Sequence, residues 1–324
     1  MTNGYGTNGT RRPGRILTAF LCALTAAGLY GCSGTATPDP APTAPAGRSP
    51  FTGLPAEPAP VLGVKIDNAA AARPHTGLGT ADLVYVEQVE GGTTRLLAVY
   101  SSRLPERVGP VRSARESDIS LLAAFGRPAL AYSGAQTALN PLLAAAPLYP
   151  VTESTAPGAF LRSPDRAAPH NLYLRPDRAL AAAPQAGDAE DIGFRFGPAP
   201  PDGTPTVRYP AARYTFTWSA ADHAWRVAMD GRETRATDSG PLTPETVVVQ
   251  RVTVRPSDFR DVTGAVSPYT ETVGEGSATV LRDGRAHEAR WSRPSDASGT
   301  TFTTPDGAPL AFAPGQVWIV LAPR

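Results

Sequence analysis

Lysine is nearly missing from this chain: Lys65 is the single one in 324 residues, so almost all positive charge is arginine. Cysteine is scarce too, with only Cys22 and Cys32, which rules out a disulfide framework. No apolar run reaches the roughly 20 residues a membrane-spanning helix needs. The longest, Ile16–Leu29, has 14. Four histidines, His75, His170, His223 and His287, show no ligand spacing, so no metal is expected. No Ser or Cys sits at a recognisable nucleophile elbow. No large excess of charge is present either, and without residues 1–31, which hold three arginines and no acid, the balance is 27 − 29 = −2. That value argues against nucleic acid as a partner.

Arg11, Arg12 and Arg15 precede the short apolar run, which is the layout of a secretory signal. The run ends in Leu29-Tyr30-Gly31-Cys32, similar to a bacterial lipobox except for Tyr30, where a small residue is usual. Residues 1–31 are therefore read as a lipoprotein signal peptide, with palmitate-type lipid on Cys32. Ser33–Pro60 is dominated by Ala, Pro, Thr and Gly and reads as a disordered tether, so that 32–60 links the lipid to a folded body. An extracytoplasmic protein, anchored to the outer face of the cell membrane through Cys32, is the expected layout.

Proline is abundant, 35 residues, which favours short elements and punctuated loops. Residues 61–115 carry three β-prone runs, Val61–Ile66, Leu83–Val89 and Leu96–Tyr100, each beside a polar cluster. Polar residues at strand ends point to a site along that sheet edge. Ser113 followed by Glu116 has capping-box spacing, and Ile119, Leu122, Ala123 and Phe125 give the following helix an apolar face. Pro128–Tyr132 reads as another strand, Asn140-Pro141 opens a short helix, and 177–183 forms a brief one. A Pro/Gly-rich stretch at 198–205 marks a boundary. Beyond it come strands at 214–218, 224–229, 246–254, 277–282, 286–291 and 317–321, with Asp230-Gly231, Asp283-Gly284 and Asp306-Gly307 as hairpin signals. The expected fold is α+β: an N-terminal α/β domain with a mixed sheet over 61–195, then a predominantly antiparallel β domain over 206–324.

The segments IDN, ARPHTGLGTADLVY, VEGGTTRLLAVY, GPVRSAR, SGA, APHNLY, VLRDG and PGQVWI together resemble the YerB-like lipoprotein family, bacterial envelope lipoproteins of unknown function. The resemblance is dense over 61–175 and thinner over 245–324. It implies an envelope lipoprotein with an α/β domain followed by a β-rich one, and it brings no catalytic residue and no cofactor.

Three polar constellations are candidates for ligand binding. Arg95, Arg112, Ser113 and Arg115 could hold an anion at a helix start. The plainer alternative is that Ser113 caps the helix while Arg115 pairs with Glu116 or Asp118. Asp67, Asp82, Glu87 and Glu90 could act as oxygen ligands or an acid/base pair. Alternatively, Asp67 ends its strand in an Asx turn and Asp82 pairs with Arg73 or Arg95. His170 and Asn171 either contact ligand or fix their own loop by hydrogen bonding. Trp218, Trp225, Trp291 and Trp318 lie in strand-like runs and read as core.

Two function classes follow. One is a binding or scaffold module for an anionic cell-wall ligand or an envelope protein. The other is an enzyme: the order of strand–Asp, Arg-bearing loops and Thr-Arg strand is similar to the LytR–CpsA–Psr glycopolymer transferases, which implies a lipid-pyrophosphate substrate. The Ser-Ile-Pro-Arg-Asp-type segment of those transferases is absent here.

Overall fold

A computed structural model describes residues 47–198 and 213–324; the signal, Cys32 and most of the 198–205 boundary lie outside the described residues. The N-terminal stretch contains β1 (Leu62–Asp67), β2 (Leu83–Gln88), β3 (Thr94–Tyr100), α1 (Glu116–Leu122), β4 (Ala129–Ala131), α2 (Asn140–Ala145), β5 (Tyr149–Val151), β6 (Phe160–Arg162), β7 (Leu172–Leu174) and α3 (Pro176–Ala182). The C-terminal stretch is strands alone: β8 (Tyr214–Ser219), β9 (Ala224–Met229), β10 (Arg232–Glu233), β11 (Arg235–Ala236), β12 (Gly240–Pro241), β13 (Thr246–Arg260), β14 (Val266–Glu271), β15 (Gly274–Arg282), β16 (Arg285–Arg293), β17 (Thr301–Thr303) and β18 (Val317–Pro323). The expected α/β region and β-rich region are both present. Among the described residues no helix is long and apolar enough to cross a membrane.

The two regions share one mixed sheet in the order β17-β16-β15-β13-β18-β2-β3-β1-β4-β5, with β14 paired to β13 as its eleventh strand. The junction is parallel: β18 lies between β13 and β2, pairing Val317 with Leu83 and Thr246 with Val317. All six residues of β1 and all but the last of β2 are buried, as expected for strands covered on both faces. One face packs on α1, Phe51, Phe125 and Phe312; the other packs on α3 and the β8–β10 sheet through Phe216 and Trp225. Trp225, Trp291 and Trp318 are buried core residues, and the half-buried Trp218 packs against Trp225 at 5.4 Å.

Two hairpins follow directly from sequence. Asp230 and Gly231, with φ 52° and 78°, join β9 to β10, and Asp283 and Gly284, with φ 49° and 75°, join β15 to β16. Positive φ at both central positions matches the right-handed twist of the strands, and Asp-Gly tolerates it.

Two expectations change. Composition reads the Pro/Ala-rich stretch as tether as far as residue 60, yet 47–60 lies on the body. Phe51 is fully buried, edge-on to Phe125 at 5.3 Å, and the Ser49 hydroxyl accepts the Phe51 and Thr52 N–H groups. One buried aromatic ring holds down a segment whose composition alone would leave it loose. The helix cap differs as well. α1 begins at Glu116 with Arg115 as its N-cap, and the Asp118 carboxylate accepts the Arg115 N–H at 2.6 Å. A carboxylate at the third helical position supplies the reciprocal half of a cap, so Ser113 stands outside the helix.

Candidate functional site

On the face toward α1, three neighbouring strands turn from hydrocarbon to charge along their length. The cross-strand rows read Leu83–Val99–Gly63, then Tyr85–Leu97–Lys65, then Glu87–Arg95–Asp67, on β2, β3 and β1. Directly opposed side chains in an antiparallel pair stand about 4.5–5.5 Å apart at Cβ. The last row therefore sets Arg95 between two carboxyl groups.

Neither carboxyl pairs with it. Glu87 turns inward to the Lys65 ammonium, with Nζ–Oε1 2.8 Å, and Lys65 also meets Asp118 Oδ1 at 2.7 Å. All three side chains are sealed, at 0%, 2% and 0% exposure for Lys65, Glu87 and Asp118. Burial, and then the Asp118 charge, push the Glu87 carboxyl up to about 7 against the pull of Lys65. One ammonium cannot neutralise two carboxylates in a site without water. The Glu87 proton is therefore held more tightly than on an ordinary glutamate, with the Asp118 side chain as a hydrogen-bond partner.

Asp67 turns outward. Its Oδ1 accepts the Ala69 N–H at 3.1 Å, the Asx turn expected at this strand end. Its Oδ2 meets His170 Nδ1 at 2.8 Å and Arg112 Nε at 3.3 Å. Its carbonyl oxygen faces the fully buried His75 at 2.9 Å. Burial lowers His75 to about 4, so that ring is neutral and its Nε2–H donates to Asp67.

Among the described residues, Arg95 is consequently left with one hydrogen bond, from Nη1 to the Ser113 carbonyl at 2.8 Å. No described carboxylate lies within 4.0 Å of it. Burial, and then the charges of Arg115 and Arg112, bring its guanidinium down to about 10, while Glu90 and Asp67 oppose them. Arg115 is engaged on all three nitrogens: Nε and Nη2 each reach Glu90 at 2.7 Å, and Nη1 reaches the Ala114 carbonyl at 2.9 Å. Burial raises Glu90, but Arg115 and the Ser267 hydroxyl outweigh it and leave the carboxyl below the usual range. Ser267 comes from β14, whose hairpin with β13 closes over α1. Ser117 Oγ accepts the Thr270 N–H at 2.9 Å, and Ser257 Oγ donates to Glu116 at 2.6 Å.

Of the residues singled out in sequence, Asp67, Arg95, Arg112, Arg115, Glu90 and His170 gather on this rim. Glu87 lies beneath it, and Ser113 contributes its carbonyl. Two do not join. Asp82 sits at the opposite end of β2, where its carboxyl accepts the Ser101 and Ser102 N–H groups at 2.6 and 2.9 Å and the Ser102 hydroxyl. It pairs with neither Arg73 nor Arg95, because those backbone donors are nearer. Asn171 turns away from His170 and accepts Arg162 Nη1 at 3.1 Å. Arg115 pairs with Glu90 rather than with Glu116 or the Asp118 carboxylate, since η-level donors on the N-cap side chain face the loop before β3.

Lys65, Asp118 and Ser267 were not singled out. A lysine inside a run of six buried residues was the available signal for the first. Asp118 and Ser267 become visible only when α1 and β14 are packed.

The protein is thus a mixed sheet shared by two regions, with a sealed ion cluster under an arginine-rich rim. Family models match it twice: "Protein of unknown function (DUF3048) N-terminal domain" over residues 51–189 and the corresponding C-terminal domain over 205–319. The chain belongs to this family, the YerB-like proteins. It is 28% identical over 294 residues to "Putative lipoprotein YerB" of Bacillus subtilis (strain 168), covering 85% of this chain and 86% of that one. The crystal structure of the YerB protein from Bacillus subtilis shares the fold, with TM-score 0.75 at 24% identity, over 86% of this chain and 97% of the other. Neither the family description nor the relative's name carries an activity, and the transferase reading draws no support from them.

Proposed function

We propose that this protein is an envelope lipoprotein whose body binds an anionic envelope ligand at the rim of β1 and β3. The observation that carries the reading is Arg95, a half-buried guanidinium set between two carboxyls and paired with neither. Arg112 adds free guanidinium N–H groups, and His170 presents its second ring nitrogen. Together they suit the oxygens of a phosphate or carboxylate better than a neutral sugar. The lipobox-like Cys32, the residues after it and the name of the YerB relative support anchoring by lipid to the outer face of the membrane. Two acyl chains suffice for stable attachment where one is marginal. The 61–195 and 206–324 regions would act as two domains of one binding body.

Binding is tested with glycerol-phosphate polymer fragments at stated salt. Arg95→Gln should weaken affinity at least tenfold while changing the melting temperature little, and the wild-type affinity should fall as salt rises. Equal affinity in both proteins would overturn the site. Anchoring is tested by palmitate labelling, which should be lost in Cys32→Ser.

A further inference from the structure

The Lys65–Glu87–Asp118 cluster has no surface of its own, yet it touches the rim at two points. Glu87 is the cross-strand neighbour of Arg95, and Asp118 Oδ2 accepts the N–H of Arg115 at 2.6 Å. We propose that the rim takes up its anion together with a proton on Glu87, so that affinity for a singly charged oxyanion falls as pH rises and Glu87 ionises. The inference rests on the anion-binding reading of the rim.

The physical reason is competition for Arg95. While Glu87 is neutral, the Arg95 guanidinium feels Glu90 and Asp67 only from beyond contact distance and can accept an external oxyanion. Once Glu87 ionises, a carboxylate directly across the strand pair compensates Arg95 and repels the incoming charge. Linkage makes the effect mutual: a bound anion raises the proton affinity of Glu87 by the same factor by which the proton raises anion affinity. The charge count also limits the ligand. Asp67 is matched by Arg112 and Glu90 by Arg115, which leaves one cation, Arg95, for one negative charge. A phosphodiester along a polymer or in a lipid headgroup meets that count, and a pyrophosphate exceeds it.

The groups that face Glu87 come from every element around it. Lys65 and Asp67 lie on β1, Arg95 on β3 and Asp118 on α1. Tyr85 on β2 interacts with both Glu87 and Arg293 of β16, and Tyr269 of β14 interacts with Arg293. On the other flank β18 supplies only hydrocarbon, Val320 opposite Val86. His170 stands on the rim itself and is the competing proton carrier.

The test uses bis(glyceryl) phosphate, whose single charge is constant from pH 5 to 9, and calorimetry in buffers of different ionisation enthalpy. Wild type should bind about tenfold more weakly at pH 9 than at pH 6, and near pH 7.5 it should take up about half a proton per probe bound. Uptake should vanish in Glu87→Gln, with its affinity flat across this range, and persist in His170→Gln. If Glu87→Gln fails to fold, wild type and His170→Gln decide: no uptake in wild type, or uptake abolished by His170→Gln, overturns the proposal. No binding by wild type at pH 6 would instead sink the anion site itself. Vesicles bearing phosphatidylglycerol and soluble glycerol-phosphate polymer, compared at pH 6, separate the two sources of the phosphodiester.

Discussion

Two clusters of charge stand one residue apart on the same sheet face and behave oppositely. Lys65, Glu87 and Asp118 are sealed from water, while the buried Asp67 is paired with two groups that meet it, Arg112 at 30% and His170 at 22% exposure. Each is three side chains drawn from three segments, with contacts of similar length. What separates them is solvent. In the sealed cluster an unmatched charge has nowhere to go, so a proton is retained. On the rim, water and outside ions can compensate, so Arg95 can remain without a carboxylate.

Removing one member of each cluster should separate them most sharply. Lys65→Met leaves two carboxyls buried without their cation and should cost about 3–5 kcal/mol in denaturant unfolding. Adding Glu87→Leu and Asp118→Leu should recover most of that loss, because an apolar replacement of the whole set removes the desolvation cost. If Lys65→Met alone costs less than about 1 kcal/mol, water reaches the cluster and the contrast fails.

The pH dependence of stability is the next largest effect. Glu87 is raised from its ordinary 4.5 to about 7 in the folded protein, so between those values the folded state binds more protons than the unfolded one. This contribution is fully present below about pH 4.5, declines as pH rises toward 7, and is gone above it. It amounts to something on the order of 3 kcal/mol. Glu87→Gln should flatten that part of a stability curve measured by urea unfolding from pH 4.5 to 8. A wild-type curve that rises through the window would contradict the assignment.

The rim should respond least. Arg112→Ala removes a partly exposed ion pair and should change stability by no more than about 1 kcal/mol, whereas affinity for a glycerol-phosphate probe should drop several-fold. A large stability loss without a binding loss would make Arg112 a structural residue like Lys65.

The strands of this fold were legible because buried runs such as Leu83–Val86 and turn pairs such as Asp283-Gly284 act locally. The rim was legible for the same reason, since its members cluster at strand ends within residues 67–115, plus His170. What escaped depended on distance in the chain. Asp118 meets Lys65 across 53 residues, and Ser267 meets Glu90 across 177. The insertion of β18 between β13 and β2 joins segments more than 200 residues apart, and no local pattern encodes it. Residues 47–60 were misjudged because average composition hid the single ring, Phe51, that decides their fate. Ser113 is not the cap because the Asp118 side chain accepts the Arg115 N–H, where Ser113 and Glu116 show only spacing.

The proton held beneath the rim is the central claim, and it can be watched directly. Selective 13C labelling of glutamate side chains would follow the Glu87 carboxyl carbon through a titration of the ligand-free protein, with Glu87→Gln to assign its signal. The account predicts that this carbon titrates well above the ordinary glutamate value, near 7. A Glu87 signal that titrates at or below 4.5 would contradict it.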